Sequence, residues 1–465
     1  MNNKRTGLYW FTNDLRLHDQ PALMRAVGSV DELVCVYVLE ERWFSPSKFC
    51  APSIGEHRYR FLLDSLAALN TQLERLGQRL LIMRGRLGPS LAQILQGANI
   101  TDIFCSQHAG WYEKQSLVWL QDNYPQIRQH VIDSHTLFDN DQLPFELSQL
   151  PPTFTQFRKQ LEAAQLPSLD HAVNGNLNGP LRRSSKPLSP VSFLPSMPAS
   201  IGELDESTIW PDELMQTAKI GGSNRFVGGE QAGLKQLSDY FSGSHPACYK
   251  QVRNALDGWD NSSKMSPWLA NGSISVRELV SKLDDYELHV TTNESTYWLY
   301  FELLWREFFQ WYAHRYGAAL YLLRGIKNQA PLTSFYSERY RKWVAGTTPY
   351  PIVNACMNEL RETGYLSNRG RQIVASCFVN ELGLDWRYGA AYFEQVLIDY
   401  DVASNWGNWQ YLAGVGADAQ PKRHFNLSKQ TASFDPSGHY IERWRGDQGM
   451  SMLDSMDAAD WPVGY

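Results

Sequence analysis

The stretch DYDVASNWGNWQY, residues 399–411, brings side chains of opposite chemistry together. It carries two aspartates, two asparagines, two tryptophans and two tyrosines within thirteen residues. A core segment rarely holds so many polar groups, and a surface segment rarely holds two tryptophans. As a helix, the stretch places Asp401, Asn405 and Trp409 on one face, with Gly407 beside it, where a ligand or a second helix can approach closely. The alternative is a helix with a polar edge whose tryptophans belong only to the core.

The stretch lies within a long region of helical periodicity, residues 236–465. Segments such as STYWLYFELLWREFFQWYAHRYG and RQIVASCFVNEL carry apolar residues at helical spacing, which predicts an all-α domain. Most of the 16 tryptophans fall in this half of the chain, and such flat side chains suit both helix packing and flat ligands. The preceding residues, 139–235, are rich in proline and serine, which predicts a linker wrapped along the surface.

Residues 1–138 show a different pattern. The apolar runs TGLYWF, ELVCVYVL, RLLIMRG, DIFCSQ and IRQHVIDS alternate with amphipathic helical segments. This order predicts an α/β domain with a Rossmann-like, five-stranded parallel sheet. Neither a GxGxxG fingerprint nor a P-loop is present, so a ligand of this domain must use another kind of site.

Composition limits the class of protein further. A chain of 465 residues predicts two domains and a connector. A net charge of −6 argues against indiscriminate nucleic-acid binding, although it allows a local basic patch. Six cysteines without a CxxC pair or histidines at metal-ligand spacing predict reduced thiols and no metal site. With no signal-peptide core and no 18-residue apolar run, we expect a cytoplasmic protein without a membrane span.

A second polar constellation occurs in FELLWREFF, residues 301–309. Glu302, Trp305, Arg306 and Phe309 share one helical stripe. A Glu–Arg pair at i, i+4 is most often a surface ion pair of little worth. Here aromatic residues interleave it, so the stripe is not expected to be wholly solvated, and a bound polar molecule is one candidate partner.

Two further segments carry groups that suit phosphates. In GYLSNRGRQ, residues 364–372, arginines at 369 and 371 flank a glycine and suit phosphate or carboxylate contact, or else are solvated charges at a helix start. In DNSSKMSPWLA, residues 260–270, Ser266 is the predicted N-cap and Pro267 the first helical residue. The hydroxyls and the lysine just before this start predict a diphosphate seat.

Taken together and in this order, the segments resemble the cryptochrome/photolyase family over nearly the whole chain. YWFTNDLRLHDQPAL, residues 9–23, is similar to the opening strand and turn of that family, and SSKMSPWLANGSIS to its flavin-phosphate loop. SNWGNWQYLAGVG, residues 404–416, and the FN..KQ pattern that follows most resemble the DASH-type cryptochromes.

The resemblance implies FAD held in a U shape inside the helical domain. Arg371 would pair with Asp399 across the isoalloxazine, Asp401 would contact its polar edge, and Asn405 would face N5. Glu302 and Arg306 would lie near the adenine and the pocket mouth. The phosphate, ribityl and remaining cofactor contacts would be Tyr249, Ser262, Ser263, Lys264, Met265, Ser266 and Asn368.

The resemblance also implies an activity, light-driven splitting of cyclobutane pyrimidine dimers by an electron from reduced FAD. The damaged base must leave the stack, which costs less in single-stranded DNA. Trp305 would stack on the lesion and Glu302 would hydrogen-bond to it. Trp409 and Trp386 resemble the inner members of a tryptophan wire that re-reduces the flavin. Its outer member would fall near Thr333, which is not redox-active. Either Trp343, Tyr336 or Tyr340 substitutes for it, or photoreduction is slow.

Two positions depart from the double-strand photolyases. Tyr411 stands where those enzymes usually carry Trp, and Gln372 where they typically carry Met. Both make the pocket more polar, which favours single-stranded substrate. DNA contact would come from Arg369, Arg423 and Lys429, with binding that falls as salt rises; the alternative for each is a solvated surface charge.

The resemblance further implies an antenna chromophore, 5,10-methenyltetrahydrofolate, with Glu113 in contact with the pterin. Three classes of function stay open: a repair enzyme, a blue-light photoreceptor that binds DNA, RNA or another partner without repair, and a light-insensitive nucleotide-binding protein. The last predicts a colourless preparation, whereas the first two predict a coloured one.

Overall fold

The N-terminal sheet has five parallel strands in the order β3-β2-β1-β4-β5, which confirms the predicted α/β fold. All of β1 and the seven central residues of β2 are buried, which explains their unbroken apolar runs. The strands are β1 (Thr6–Phe11), β2 (Glu32–Glu40), β3 (Leu80–Gly85), β4 (Asp102–Ser106) and β5 (Arg128–Ile132). The helices that accompany them are α1 (Pro21–Val27), α2 (Glu56–Arg75), α3 (Leu87–Gly97) and α4 (Trp111–Asn123).

The coordinates are a computed structural model that describes residues 4–49, 51–165, 186–201, 225–417 and 423–454. Residues 166–185 and 202–224 of the predicted linker therefore lie outside the described residues. Within the described part of that linker, helix α5 (Phe154–Gln165) departs from the prediction. Its Phe154, Phe157 and Leu161 lie in the same core as the C-terminal helices, because they form an apolar stripe at helical spacing.

The C-terminal region is helical, as predicted. Its longest helix, α10, carries a capping box at Asn293 and ends at Gly317, whose φ of 49° is in the left-handed region. The helices are α6 (Glu230–Phe241), α7 (His245–Val252), α8 (Ser266–Ala270), α9 (Val276–His289), α10 (Glu294–Tyr316), α11 (Ser337–Ala345), α12 (Pro351–Thr363), α13 (Asn368–Asn380), α14 (Trp386–Val396), α15 (Val402–Leu412), α16 (Leu427–Phe434) and α17 (His439–Arg443).

A closed polar junction fixes the carboxyl end of the sheet against these helices. The Arg16 guanidinium donates to the carbonyl oxygens of Gly272 and Ser134, both at 2.9 Å. Asp19 accepts from Arg277 at 2.9 Å, and both side chains are buried. Burial alone raises the pKa of Asp19, but Arg277 and Arg16 outweigh it and hold that pKa below its ordinary value. The two parts of the chain are therefore held together by buried groups that satisfy one another.

Three other features of the described residues bear on the sequence-based expectations. The described cysteines are free; Cys35, Cys105, Cys356 and Cys377 are buried and Cys248 is exposed. In the described ranges, no helix is long and apolar enough to cross a membrane. Across the same ranges, no three His, Cys, Asp or Glu side chains are grouped as metal ligands.

Candidate functional site

The opening stretch forms helix α15, and Asp401 is its N-cap rather than a residue of its first turn. The Asp401 carboxylate accepts from the backbone of Ser404 at 2.7 Å and from Gln310 Nε2 at 2.8 Å. The Asn405 amide donates to Ala390 O at 3.0 Å. Asp401 lies outside the helix because an N-cap carboxylate satisfies a free backbone N–H. Both polar groups of the predicted face are thus fixed by neighbouring elements.

The close approach predicted at Gly407 is made by another helix. A Cβ at Gly407 would lie 2.3 Å from the ring of Phe309 on α10. A Cβ at Gly389 would likewise lie 2.3 Å from the Trp409 ring. These two glycines let α10 and α14 pack directly against α15, which sets the depth of Asn405 and Trp409 in the domain.

Arg371 and Asp399 form the ion pair that the resemblance implies. Arg371 lies in the first turn of α13, and one of its guanidinium nitrogens is 2.8 and 3.0 Å from the Asp399 oxygens. Burial lowers the pKa of Arg371, but Asp399 outweighs that effect and the pKa lies above its ordinary value. Asp399 is 2% accessible, whereas Arg371 keeps 25%. The pair therefore presents its cation, not its anion, to open space.

Glu302 and Arg306, which share the predicted stripe, do not pair with each other. Glu302 forms an ion pair with Arg253, and Arg306 instead donates to His135 O at 2.7 Å. The Arg306 guanidinium also lies 3.5 Å from Leu269 O, so it contacts backbone carbonyl oxygens instead of a carboxylate. Arg253, which sequence reasoning missed, lies four residues after Tyr249, the helical spacing that could have indicated it.

Glu302 is half-buried, and the space that the accessible parts of Glu302, Arg253 and Trp305 border is here called the recess. Burial raises the pKa of its carboxyl, although Arg253 opposes that effect. Yet 29% of the Glu302 side chain and 20% of Arg253 stay accessible. Burial also raises the pKa of Tyr249, and Glu302 is the next cause. The accessible part of the Glu302 carboxyl is therefore available to a bound molecule.

Trp305 and Tyr411 are brought together as the resemblance implies. Their ring centroids are 5.9 Å apart with the planes at 78°. Phe154 of α5 also stacks on Trp305, at 3.8 Å and 14°. Sequence reasoning missed Phe154 because it lies in the predicted linker. The Arg423 guanidinium is 4.5 Å from the Tyr411 ring, which brings one predicted DNA contact to the same place.

The predicted phosphate loop makes a tight turn. Lys264 has a φ of 56°, a left-handed conformation that costs a lysine roughly 1–2 kcal/mol. Helix α8 begins at Ser266 with Met265 as N-cap, one residue earlier than predicted. Ser262, Ser263 and Ser266 are half-buried, and Met265 is buried. The turn therefore gathers the hydroxyls and backbone amides of the loop on one short segment.

The remaining predicted contacts are spread around the outside of the recess. Arg369 donates to Asn254 Oδ1 at 3.0 Å and lies 4.6 Å from the Phe434 ring. Gln372 is half-buried, whereas Asn368 and Lys429 are exposed. Burial lowers the pKa of Arg369, and the like charge of nearby Arg253 lowers it further. Asn368, by contrast, lies at the surface.

The tryptophans of the predicted wire are buried. Trp409 is 6.3 Å from Trp343, with the planes at 74°, and both are almost inaccessible. Trp386, the first residue of α14, is 5.8 Å from Trp406. Of the other candidates, Tyr340 is half-buried and contacts Phe378, and Tyr336 is exposed; Thr333 is half-buried. Trp343 is the candidate donor that touches Trp409 directly.

A cavity of about 670 Å³ lies between the sheet domain and the helical domain. Glu113 lines it and is 3.3 Å from Arg42 and 3.6 Å from His108. Burial alone raises the pKa of Glu113, but His108 and Arg42 outweigh it, so that pKa is lowered. Arg42 also lies 3.9 Å from the Tyr112 ring. The cavity offers a carboxylate, a cation and flat rings, and the helical domain adds Tyr321, Tyr400 and Trp406.

Comparison with known proteins shows which family has this fold and these residues. A family model described as the FAD binding domain of DNA photolyase matches residues 298–447, and one described as DNA photolyase matches residues 7–174. Cryptochrome DASH of Idiomarina loihiensis is 48% identical over all of this chain and 98% of its own length. Cryptochrome DASH of Vibrio parahaemolyticus is 46% identical over 99% of this chain and 98% of its own.

Solved structures agree with the sequence comparison. A cryptochrome of Synechocystis has a TM-score of 0.85 and 37% identity, covering 96% of this chain and 89% of that one. A bacterial class III photolyase of Agrobacterium tumefaciens has a TM-score of 0.74 and 26% identity, covering 96% and 87%. With its FAD-binding helical domain, the chain belongs to the cryptochrome/photolyase family, and within that family it is most similar to the DASH-type cryptochromes.

Proposed function

We propose that this protein repairs cyclobutane pyrimidine dimers, chiefly in single-stranded DNA, under blue light. When bound, reduced FAD supplies the photoexcited electron. The observation that carries the proposal is a pair of accessible side chains on one helix. Glu302 and Trp305 lie one turn apart on α10, and both keep accessible surface. A carboxyl and an indole at this spacing suit a pyrimidine pair, which needs a hydrogen-bond partner and a flat surface.

The residues fit the flavin in kind and in charge. Arg371 keeps a quarter of its side chain accessible and is held by Asp399, so it would meet a polar ring edge without leaving an uncompensated charge. Asn405 is neutral and anchored through its amide nitrogen to Ala390 O, which leaves the amide oxygen for a partner of its own. The 262–266 loop, Tyr249 and the cap residue Asp401 would hold the rest.

Tyr411 and Gln372 support the preference for single strands. The Tyr411 ring meets Trp305 edge to face, so it adds a polar hydroxyl where a larger indole would add apolar surface. A pocket with less apolar area provides less energy for extracting a base from a duplex. A base in single-stranded DNA is already partly unstacked, which makes the smaller gain sufficient.

Arg423 and Arg369 would carry the strand to the recess. Arg423 lies on Tyr411, and Arg369 lies between Phe434 and Phe425, at 4.6 and 5.8 Å from their ring centroids. Arginine against aromatic rings suits both phosphate contact and base stacking. Exposed Lys429 would add a phosphate contact with little geometric demand. RNA is a second single-stranded polymer that this surface fits.

Electron resupply would pass through Trp409. Trp343 is the donor we propose in place of Thr333, because its ring lies 6.3 Å from Trp409 and is fully buried. Trp386, next to Trp406, would provide the second branch. The cavity at Glu113 and Arg42 would hold a folate antenna, since an anionic side chain suits a pterin N–H and Tyr112 suits its flat ring.

Recovery of 260 nm absorbance by ultraviolet-irradiated oligothymidine tests the repair. The reduced protein would be incubated with single strands or with strands annealed to their complement, under blue light or in the dark. We expect light-dependent recovery that is faster on single strands. Glu302→Ala should slow recovery at least tenfold while FAD stays bound, whereas Glu294→Ala, at an exposed site on the same helix, should not. No recovery on either substrate would contradict the proposal and favour a photoreceptor.

A further inference from the structure

The tryptophans of both electron-resupply branches are enclosed by protein. Each of the four is at most 3% exposed: Trp409, Trp343, Trp386 and Trp406. A reductant in solution cannot contact these rings, so an electron that passes inward through them must enter at another residue. That residue must be redox-active, lie at the surface and adjoin the buried rings, because electron transfer slows steeply with distance. Tyrosine, like tryptophan, meets the first of these conditions.

The first branch leads from Trp343 to the surface at Tyr388. The ring centroid of Trp343 lies 4.6 Å from that of Phe378, which lies 6.3 Å from that of Tyr340. Tyr340 is one turn before Trp343 on α11, and its ring lies 6.1 Å from Tyr388. Aromatic rings therefore follow one another from the buried Trp343 to Tyr388, which is half-buried.

The second branch leads to the same tyrosine. The ring centroid of Trp386 is 5.8 Å from that of Trp406, which is 6.1 Å from that of Phe49. Phe49 lies between β2 and α2, and its ring is 5.2 Å from Tyr388, with the planes at 78°. Two routes from different parts of the helical core thus converge on one phenol.

Tyr388 lies beside the segment where the family resemblance would place the outer electron donor. Ser334 follows Thr333, and its carbonyl oxygen accepts from the Asp385 backbone N–H at 2.7 Å, at the start of α14. This contact brings Phe335 onto Tyr388, with the rings stacked at 4.1 Å and 24°. Phe335 is 41% exposed. A small molecule in solution can therefore reach the stacked pair, although it cannot reach the tryptophans.

We propose that Tyr388 is the terminal electron donor of both branches. The proposal rests on the electron resupply through Trp409 proposed above. Once light has drawn an electron inward from a buried tryptophan, Tyr388 gives that indole one electron and gives its hydroxyl proton to water. A thiol in solution then returns one electron and one proton to the tyrosyl radical, and pairs of oxidised thiols form a disulfide.

The rate of flavin photoreduction under blue light with dithiothreitol tests this role. Tyr388→Phe keeps the ring and its packing but removes the redox-active phenol, so we expect the rate to fall several-fold. The fall should exceed that in Trp343→Phe or Trp386→Phe, because each of these variants leaves one branch intact. Tyr388→Trp should restore the rate. Tyr316→Phe, at a half-buried tyrosine whose ring packs against Tyr312, should keep the wild-type rate.

Electron paramagnetic resonance identifies the oxidised side chain directly. The FAD-loaded wild type, frozen under blue light without thiol, should show a radical whose signal narrows when the protein is made with ring-deuterated tyrosine. Tyr388→Phe should lack that signal. The FAD content and the urea midpoint of Tyr388→Phe should both equal those of the wild type, which separates loss of an electron donor from loss of packing.

The competing entry point is Tyr321, which lies 5.0 Å from Trp406 and lines the cavity at Glu113. An unchanged rate in Tyr388→Phe, with a slower rate in Tyr321→Phe, would place electron entry in that cavity and overturn the assignment. A radical that is insensitive to deuterated tyrosine would show that oxidation stops at a tryptophan.

A slower rate in Tyr388→Phe that accompanies a lower FAD content, without rescue by Tyr388→Trp, would leave Tyr388 a packing role alone. Dimer repair by protein reduced beforehand with dithionite does not use this route. Its failure would contradict the proposed repair, whereas the photoreduction rates and the radical signal decide the role of Tyr388.

Discussion

A buried and a half-buried ion pair of this protein differ in what they face. Asp19 and Arg277, at the junction of sheet and helices, are 0% and 5% accessible. Glu302 and Arg253, inside the helical domain, are 29% and 20% accessible. The pKa of Asp19 is lowered because Arg277 and Arg16 outweigh its burial, whereas the pKa of Glu302 is raised because its burial outweighs Arg253.

This difference in accessibility indicates that the first pair stabilises the fold and that the second is available to bind a ligand. The junction pair is closed, since each group finds its partners inside the protein and none remains for a ligand. The Glu302 pair is open, since both groups border a recess and the carboxyl is incompletely compensated. The third pair, Arg371 with Asp399, is intermediate: the Asp399 carboxylate is inaccessible, whereas the Arg371 guanidinium remains accessible to a ligand. Mutations should therefore harm folding at the first pair and ligand binding at the other two.

The largest effect is expected at the junction. Asp19→Ala removes the nearer anion of buried Arg277, leaving only Asp139 at 3.6 Å, and removes a hydrogen-bond acceptor of Ser275. We expect the free energy of unfolding to fall by about 3–5 kcal/mol, measured by urea unfolding with circular dichroism. Asp239→Ala, at an exposed pair with Lys235, should cost about 0–1 kcal/mol. If the free energy of unfolding fell equally in the two variants, buried and exposed ion pairs would not differ in their contribution to stability.

The next effect concerns flavin affinity. Asp399→Ala leaves Arg371 unpaired beside a recess that water can enter, so stability should change less than at Asp19. We expect the Kd for FAD to rise about a hundredfold, measured by equilibrium dialysis of the apoprotein. Asp385→Ala removes another buried acid of the same domain, which caps α14 and pairs with Arg387, and should leave FAD affinity unchanged. If Asp399→Ala kept the wild-type affinity for FAD, the assignment of the Arg371 guanidinium as a flavin contact would be contradicted.

A pH dependence follows from Glu359, a buried acid whose direct partner is the Tyr440 hydroxyl. Burial raises its pKa to about 7. The folded state therefore holds this proton between about pH 4.5 and 7, where the unfolded state loses it, and stability falls as pH rises through that window. Glu359→Gln should remove about 3 kcal/mol of this fall, measured by urea unfolding at a series of pH values.

The matched control for that series is on the same helix. Glu362 is exposed and paired with Arg445, so Glu362→Gln should keep the wild-type pH profile. A flat difference between wild type and Glu359→Gln across pH 4.5–7 would show that Glu359 titrates as a solvated acid.

The smallest effect is expected on electron resupply. Trp343→Phe keeps an aromatic ring against Trp409 but removes the redox-active indole, so photoreduction of the flavin should slow several-fold. Stopped-flow or flash absorbance under blue light measures the rate. Trp268→Phe, at another fully buried tryptophan of the helical core, should have no effect. Unchanged photoreduction in Trp343→Phe, with loss in Trp386→Phe, would transfer the role to the other branch.

Much of the fold was predictable from local patterns. The runs TGLYWF and DIFCSQ are unbroken because strands covered on both faces bury every residue, and the observed β1 and β4 coincide with them within one residue. Helix α5 was hidden because its Phe154, Phe157 and Leu161 stripe follows a proline pair and precedes a serine-rich stretch, whose composition dominates a long window.

The residues of the candidate site could be predicted from the sequence, but the ion pairs that they form could not. Arg371 and Asp399 are 28 residues apart, and only the family resemblance indicates that they meet. Helical spacing suggested a Glu302–Arg306 pair, but tertiary contacts overrode it, because Arg253 and the His135 carbonyl lie closer to the two side chains. Phe154 and Arg253 come from other elements, and single-sequence spacing carries no information about such contacts.

The central claim is that the helical domain encloses a flavin, which the accessible Arg371 guanidinium and the Asn405 amide contact. A crystal structure of the FAD-loaded protein tests it most directly. We predict electron density for three fused rings in contact with Arg371, Asp399 and Asn405, with Glu302 and Trp305 lining the entrance. A flavin located elsewhere, or a recess closed by packed side chains with the protein fully loaded, would contradict the account.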